Sequence, residues 1–109
     1  MKTTVNALLR AYDDGRDRSE FYRGWRMGLH AGLTHSAVME QMQVHGGSTR
    51  ALRAHLLRGT RAGDSIESLL KRAAHLTEPF ERAVLAMGEE SGQLERVLAE
   101  LAEFHFRQY

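Results

Sequence analysis

Apolar residues recur at three- and four-residue spacing along almost the whole chain, and glycine or a capping residue cuts each run after about three turns. No convincing two-residue alternation interrupts the pattern, so short amphipathic helices, rather than strands, are what this sequence can form. Val5, Leu8, Leu9 and Tyr12 predict a lead helix that runs into Asp13-Asp14-Gly15, a turn signal. Ser19 caps the next helix, which carries Phe21, Trp25, Gly28, Leu29 and Gly32 along one face and ends at Gly32. Thr34 opens another with Val38, Met39 and Met42 inward, and Gly46-Gly47 stops it. Ser48 caps a helix ending near Ala62-Gly63. Asp64 and Glu67 then read as a capping box ahead of Ile66, Leu69, Leu70 and Ala73. Thr77 caps the fifth helix, where Pro79 is tolerated because first-turn N–H groups have no helical partner. Phe80, Ala83, Val84 and Met87 repeat the spacing there. Ser91-Gly92 breaks it, and Leu94, Val97, Leu98 and Leu101 begin the last helix.

Turns this short make consecutive helices run antiparallel. The expected fold is therefore all-α, a compact six-helix antiparallel bundle with room for a short extra N-terminal helix. The expected division is a lead segment over residues 1–18 and a bundle domain over residues 19–109. Whether Val5–Tyr12 packs on its own bundle or on a second copy turns on exposure, and an exposed Leu8-Leu9 pair favours the second copy.

A length of 109 residues suits one core, and the absence of cysteine removes disulfides, a thiol nucleophile and Cys-ligated zinc. That absence fits a reducing cytoplasm. Mean hydropathy is −0.45, and the apolar runs fall far short of the ~20 residues of a spanning helix. Net charge is +1, unevenly spread: residues 1–62 carry ten Lys/Arg against five Asp/Glu, and residues 63–109 carry five against nine. Such asymmetry can orient the chain against a charged partner or bring two copies together head to tail.

Little in the chain points to catalysis. The six histidines, at 30, 35, 45, 55, 75 and 105, form no His-x-x-x-His pair of the kind that sets two imidazoles on one helix face. Neither a Gly-x-Ser-x-Gly elbow nor a phosphate-binding Gly-x-x-x-x-Gly-Lys-Ser/Thr loop occurs. No catalytic residue and no cofactor is expected. Two clusters remain as candidate contact sites. Arg50, Arg53, Arg58 and Arg61 fall on one side of the third helix, opposite Leu52, Leu56 and Gly59. They suit an acidic protein partner or, as the alternative, a DNA backbone met by a small helical regulator. Glu89 and Glu90 stand at a helix C-terminus, where the helix dipole disfavours them. They point into water, accept arginine from a partner, or serve as weak candidate ligands for a hard cation.

The order of three motifs resembles the cytoplasmic F-type domain of type II secretion F-proteins and type IV pilus inner-membrane platform proteins. Gly88-Glu89-Glu90-Ser91-Gly92-Gln93-Leu94 is similar to that domain's most recognisable element. Phe21-Tyr22 through Ala31-Gly32-Leu33 resembles its first helix and Ala-Gly-Leu exit, and Gly63-Asp64-Ser65-Ile66 resembles its Gly-x-Ser-hydrophobic element. Together they span about residues 19–105. Where family members carry a Phe-Pro-Pro-like entry to the fifth helix, this chain reads Thr77-Glu78-Pro79. The resemblance implies a six-helix bundle and a non-enzymatic scaffold at the cytoplasmic face of the inner membrane. It also implies contacts with the assembly ATPase and other platform components, a homodimer, and no nucleic acid. Membrane association is expected only through segments absent from this chain. The motif residues carried over are Gly32, Leu33, Gly63, Ser65, Gly88, Ser91, Gly92 and Leu94.

Overall fold

The computed structural model describes residues 2–108, with the side chains of residues 2–4, 10–13 and 108 excepted. Six helices follow one another: α1 (Lys2–His30), α2 (His35–Gln41), α3 (Gly47–Arg61), α4 (Ile66–Arg72), α5 (Pro79–Ser91) and α6 (Leu94–Gln108). A 3-10 turn, Ala74–Leu76, links α4 to α5. No strand occurs among the described residues, and the all-α bundle expected from the periodicity is the fold.

The core is built on Phe21, Tyr22 and Trp25 of α1, all fully enclosed, with the Phe21 ring edge-on to both of the others. Around them lie Val38 and Met39 of α2, Leu52 and Leu56 of α3, and Ile66, Leu69 and Leu70 of α4. Leu85 of α5 and Val97, Leu98 and Leu101 of α6 close the set. Complete burial of each such aliphatic or aromatic side chain contributes about 1.5–3 kcal/mol. Helix α1 lies against α6 and runs antiparallel to it: Ser19 Oγ donates to the Ala102 carbonyl at 2.8 Å, while His30 meets Glu95 at 3.0 Å.

Three of the helix pairs are joined by one repeated device. Helix α1 carries Gly28 and exits at Gly32, α3 carries Gly59 and exits at Gly63, and α5 carries Gly88 and exits at Gly92. The exit glycines have φ of +92°, +88° and +74°, a left-handed conformation that L side chains resist. The residue after each exit returns its N–H to the carbonyl of the first glycine: Leu33 to Gly28, Asp64 to Gly59 and Gln93 to Gly88, at 3.0, 3.0 and 2.9 Å. The first glycine of each pair also lets the next helix approach closely. A methyl group there would strike Val38, Leu69 or Val97, respectively.

Several local expectations are corrected. The turn signal Asp13-Asp14-Gly15 does not break the chain, since α1 runs unbroken from residue 2 to residue 30 and so crosses the expected boundary at 18/19. Glycine costs a helix interior about 1 kcal/mol but stops it only with a left-handed φ, which Gly15 does not adopt. Val5, Leu8 and Leu9 are exposed, and the Tyr12 side chain lies outside those described. Gly46, not Ser48, precedes α3, and its N–H is taken by Asp17 of α1, 29 positions earlier. Ser65, not Asp64, caps α4. Asp64 and Glu67 instead pair with Arg72 and Lys71. Glu78, not Thr77, caps α5, in a reciprocal box with Glu81. On α5 the Phe80–Ala83–Val84–Met87 spacing marks a helix but not its buried face. Glu81, Leu85 and Gly88 face the core, and Phe80, Ala83 and Met87 face outward.

Candidate functional site

The glycine joints α1–α2, α3–α4 and α5–α6 meet at one end of the bundle, and the carboxylate of Glu89 ties the last two together. Its two oxygens accept the N–H groups of Ile66 at 2.7 Å and Glu67 at 3.1 Å, the free donors in the first turn of α4. The negative charge complements the positive end of that helix. The placement that looked unfavourable for α5 alone is thus resolved by a neighbouring helix start.

Beside Glu89 lies an open groove of about 490 Å³ between the first and last joints. Leu29, His35, Glu89, Gln93, Glu95 and Arg96 are among its lining residues. Trp25 Nε1 donates to His35 Nδ1 at 3.0 Å, which fixes the imidazole as an acceptor on that nitrogen. Burial pulls the His35 pKa below its usual value, and the Glu89 charge opposes that only in part. His30 and Glu95 close one side of the rim, 3.0 Å apart. Glu90 is exposed. Among the described residues no group of three or more His, Asp or Glu side chains converges in a way that could hold a metal ion. Both oxygens of Glu89 already serve backbone donors.

All eight motif residues fall at these joints. Gly32, Gly63 and Gly92 are the exits, Gly88 is the close-approach position, and Ser65 accepts the Ser68 N–H at 3.1 Å as the cap of α4. Leu94 packs against the core, whereas Leu33 and Ser91 are exposed. The motif is therefore a device for joining helices, with the groove as its outer surface.

The arginine stripe of α3 is broken up by local bonds. Arg50 donates to the His45 carbonyl and Arg53 to the Glu40 carbonyl, each at 3.1 Å, and Arg61 pairs with the Glu40 carboxylate at 3.1 Å. Arg53 and Arg61 thus hold the last turn of α2, and Arg50 holds the stretch between α2 and α3. Arg58 is exposed and beside a shallow cleft with His55, Asp64 and Arg72.

One further cluster is not among the sites expected from the sequence. Glu81 is only 1% exposed, yet it meets His105 Nε2 at 2.6 Å and accepts the Glu78 N–H at 3.3 Å. The His105 ring in turn stacks on Tyr22, and Arg18 reaches the Leu76 carbonyl at 3.1 Å. Burial alone would raise the Glu81 carboxyl, but the His105 hydrogen bond and the charges of Arg18 and His105 outweigh it, and its pKa lies below the usual range. Burial, aided by the Glu81 charge, pushes the Tyr22 phenol far up. The spacing Glu78-x-x-Glu81 was the available sign, since a reciprocal helix cap needs an acid at the fourth position.

Residues 21–109 match the family model described as Type II secretion system (T2SS), protein F. The chain belongs to that family. Comparison with characterised proteins and with solved structures gave no significant match. The matched region begins at the aromatic core of α1 and takes in all three joints. The family is a secretion-platform scaffold and not a known enzyme family. No described helix is long and apolar enough to cross a membrane.

Proposed function

We propose that this chain is a protein-interaction scaffold on the cytoplasmic side of an inner-membrane secretion or pilus platform. In that role it contacts the assembly ATPase and neighbouring platform components, and it self-associates. The observation that carries the reading is the family match over residues 21–109, whose motif residues build a joint cluster with an outward groove. The groove end offers Glu90, Glu95 and Arg96 on its surface. Glu90 is available to a basic partner because Glu89 takes the structural work of capping α4. Arg58, which faces water on α3, is the stripe residue best placed for an acidic partner.

The test is co-sedimentation of the purified chain with the assembly ATPase of its own system. A stable complex weakened by Glu90→Arg or Arg58→Glu, with melting behaviour unchanged, supports the scaffold role. Absence of any complex across tens of micromolar protein, with platform assembly in cells indifferent to loss of the chain, refutes it.

A further inference from the structure

The groove beside Glu89 holds one hydrogen-bond donor whose direction the core fixes. Trp25 is fully buried, and its indole Nε1–H can only donate. His35 Nδ1 accepts that N–H at 3.0 Å, so Nδ1 is bare and the neutral ring carries its hydrogen on Nε2. A charged ring would turn a second N–H against the indole, and burial disfavours it as well. The two nitrogens of an imidazole point to nearly opposite sides of the ring. With Nδ1 turned inward to Trp25, Nε2–H turns outward on a residue that lines the groove. Among the described residues Nε2 has no hydrogen-bond partner, and it is not enclosed.

Around this donor the walls are part apolar and part charged. Leu29 of α1 and Leu94 of α6, both packed on the core, supply the apolar part. Glu89, Glu95 and Arg96 supply the charges, two carboxylates against one guanidinium, and Glu90 stands exposed next to Glu89. A carboxylate or phosphate set against His35 would meet this surplus of negative charge, whereas a neutral carbonyl would not. The same surplus favours a cation at the rim. A carbonyl free to accept Nε2–H belongs to extended backbone, because a helix spends its own carbonyls internally. The volume of about 490 Å³ gives room for a short stretch of such chain.

We infer that the groove captures an extended segment of a partner protein in which a backbone carbonyl accepts the His35 Nε2–H. In that pose an apolar side chain of the segment lies on Leu29 and Leu94, and a neighbouring basic side chain reaches Glu95, with Glu90 beyond it. The inference rests on the scaffold role proposed above and names the chemistry of what its groove takes.

The experiment is an NMR titration of the full isotope-labelled chain. Trp25 is the single tryptophan, so its indole N–H signal reports on His35 from inside the core. The probe is the capped peptide acetyl-Ala-Leu-Arg-Ala-amide, and acetyl-Ala-Leu-Glu-Ala-amide is its charge-reversed control. The arginine peptide should shift the indole signal saturably, together with the amides of Gln93 and Glu95, and the glutamate peptide should bind more weakly. His35→Asn keeps an oxygen where Nδ1 accepts from Trp25 but lacks the outward Nε2–H. It should hold the parent melting behaviour and lose roughly two- to tenfold in affinity for the arginine peptide. Glu95→Arg, at a half-exposed position on the rim, should reverse the preference between the two peptides and does not depend on the Trp25 bond.

An indole signal that stays in place at several millimolar arginine peptide overturns the inference. So does equal affinity for the two peptides, or a folded His35→Asn chain that binds as well as the parent. Tighter binding of the glutamate peptide would assign the groove to acidic segments and overturn it too. ATPase co-sedimentation is scored separately: a chain that binds the ATPase but ignores both peptides rejects this inference and leaves the scaffold role in place.

Discussion

Replacing Gly88 with alanine probes the joint that lies at the centre of the family motif. Alanine in a helix interior gains about 1 kcal/mol over glycine from propensity alone. At Gly88 the added methyl would lie 2.8 Å from Val97 Cγ2, 3.1 Å from Val97 Cβ and 3.3 Å from the Leu94 Cα. Two of those atoms are stiff: Val97 is β-branched and buried, and Leu94 Cα is backbone. Forcing a methyl into such a contact costs about 1–3 kcal/mol. The cost exceeds the gain, leaving a net loss of roughly 1 kcal/mol, or about 4–8 °C in Tm for a domain near this size. Gly47→Ala is the control, because that position has open space around it and should be neutral or slightly stabilising. In the double variant Gly88→Ala/Val97→Ala the new methyl fills part of the space the valine leaves. Its loss should fall short of the sum of the single losses by at least ~0.5 kcal/mol. Urea and thermal unfolding of the parent, Gly88→Ala, Val97→Ala, the double variant and the Gly47→Ala control measure these quantities. If Gly88→Ala is as stable as the parent, or the double variant is additive, close packing is not why glycine is needed there.

Further substitutions separate capping from contact roles. Glu89→Gln leaves one α4 N–H facing an amide donor and should cost about 1–3 kcal/mol, whereas Glu90→Gln should stay within about 0.5 kcal/mol; equal losses in urea unfolding would contradict the capping role. Asp17→Asn weakens the acceptor for the His45 and Gly46 N–H groups and the Thr49 hydroxyl, with an expected loss of about 1–2 kcal/mol and faster amide exchange in the first turn of α3. Unchanged exchange there would mean that the cap is dispensable. For Glu81, a pKa lowered in the folded state means that the ionised carboxylate stabilises the bundle above the unfolded value near 4.5, and that this stability is lost as pH falls through the folded value. Stability should therefore decline below about pH 4.5, and the decline should be shallower in Glu81→Gln. That variant also replaces the carboxylate that His105 Nε2 meets with a neutral amide, at a cost of about 1–3 kcal/mol at neutral pH. Parallel acid limbs for the two proteins would assign the loss to other carboxylates.

Helix content, the order of the elements and most of the core could be read from the chain because they depend on periods of three and four residues. Phe21, Trp25, Val38, Met39, Leu52, Leu56, Ile66, Leu69 and Leu70 all fell on the expected faces. The joints were partly legible as well. The left-handed exits at Gly32, Gly63 and Gly92 followed from glycine placement, and Gly28 four residues before Gly32 was legible on the same face, but the repeat of that spacing at 59/63 and 88/92 went unread. That spacing has meaning only when the next helix is seen to press a branched side chain into it.

What the linear order determined by itself was local: amphipathic periodicity, the helix-ending glycines at 32, 63 and 92 (though not the end of α2, which stops at Gln41, before Gly46-Gly47), the Thr34 cap and the absence of any membrane-length apolar run. Tertiary structure decided which acids do what. Asp17 and Glu89 cap helices that begin 30 and 23 residues away, choices no local pattern encodes, because the donors come close only after the bundle has formed. It also decided which face of α5 turns inward. There a paired and buried Glu81 replaces the apolar stripe that periodicity favoured, since a charge with a hydrogen-bonded partner can enter a core that an unpaired one cannot. Phe80 and Met87 were displaced to the outside by the same packing, and only the folded arrangement reveals them as a surface.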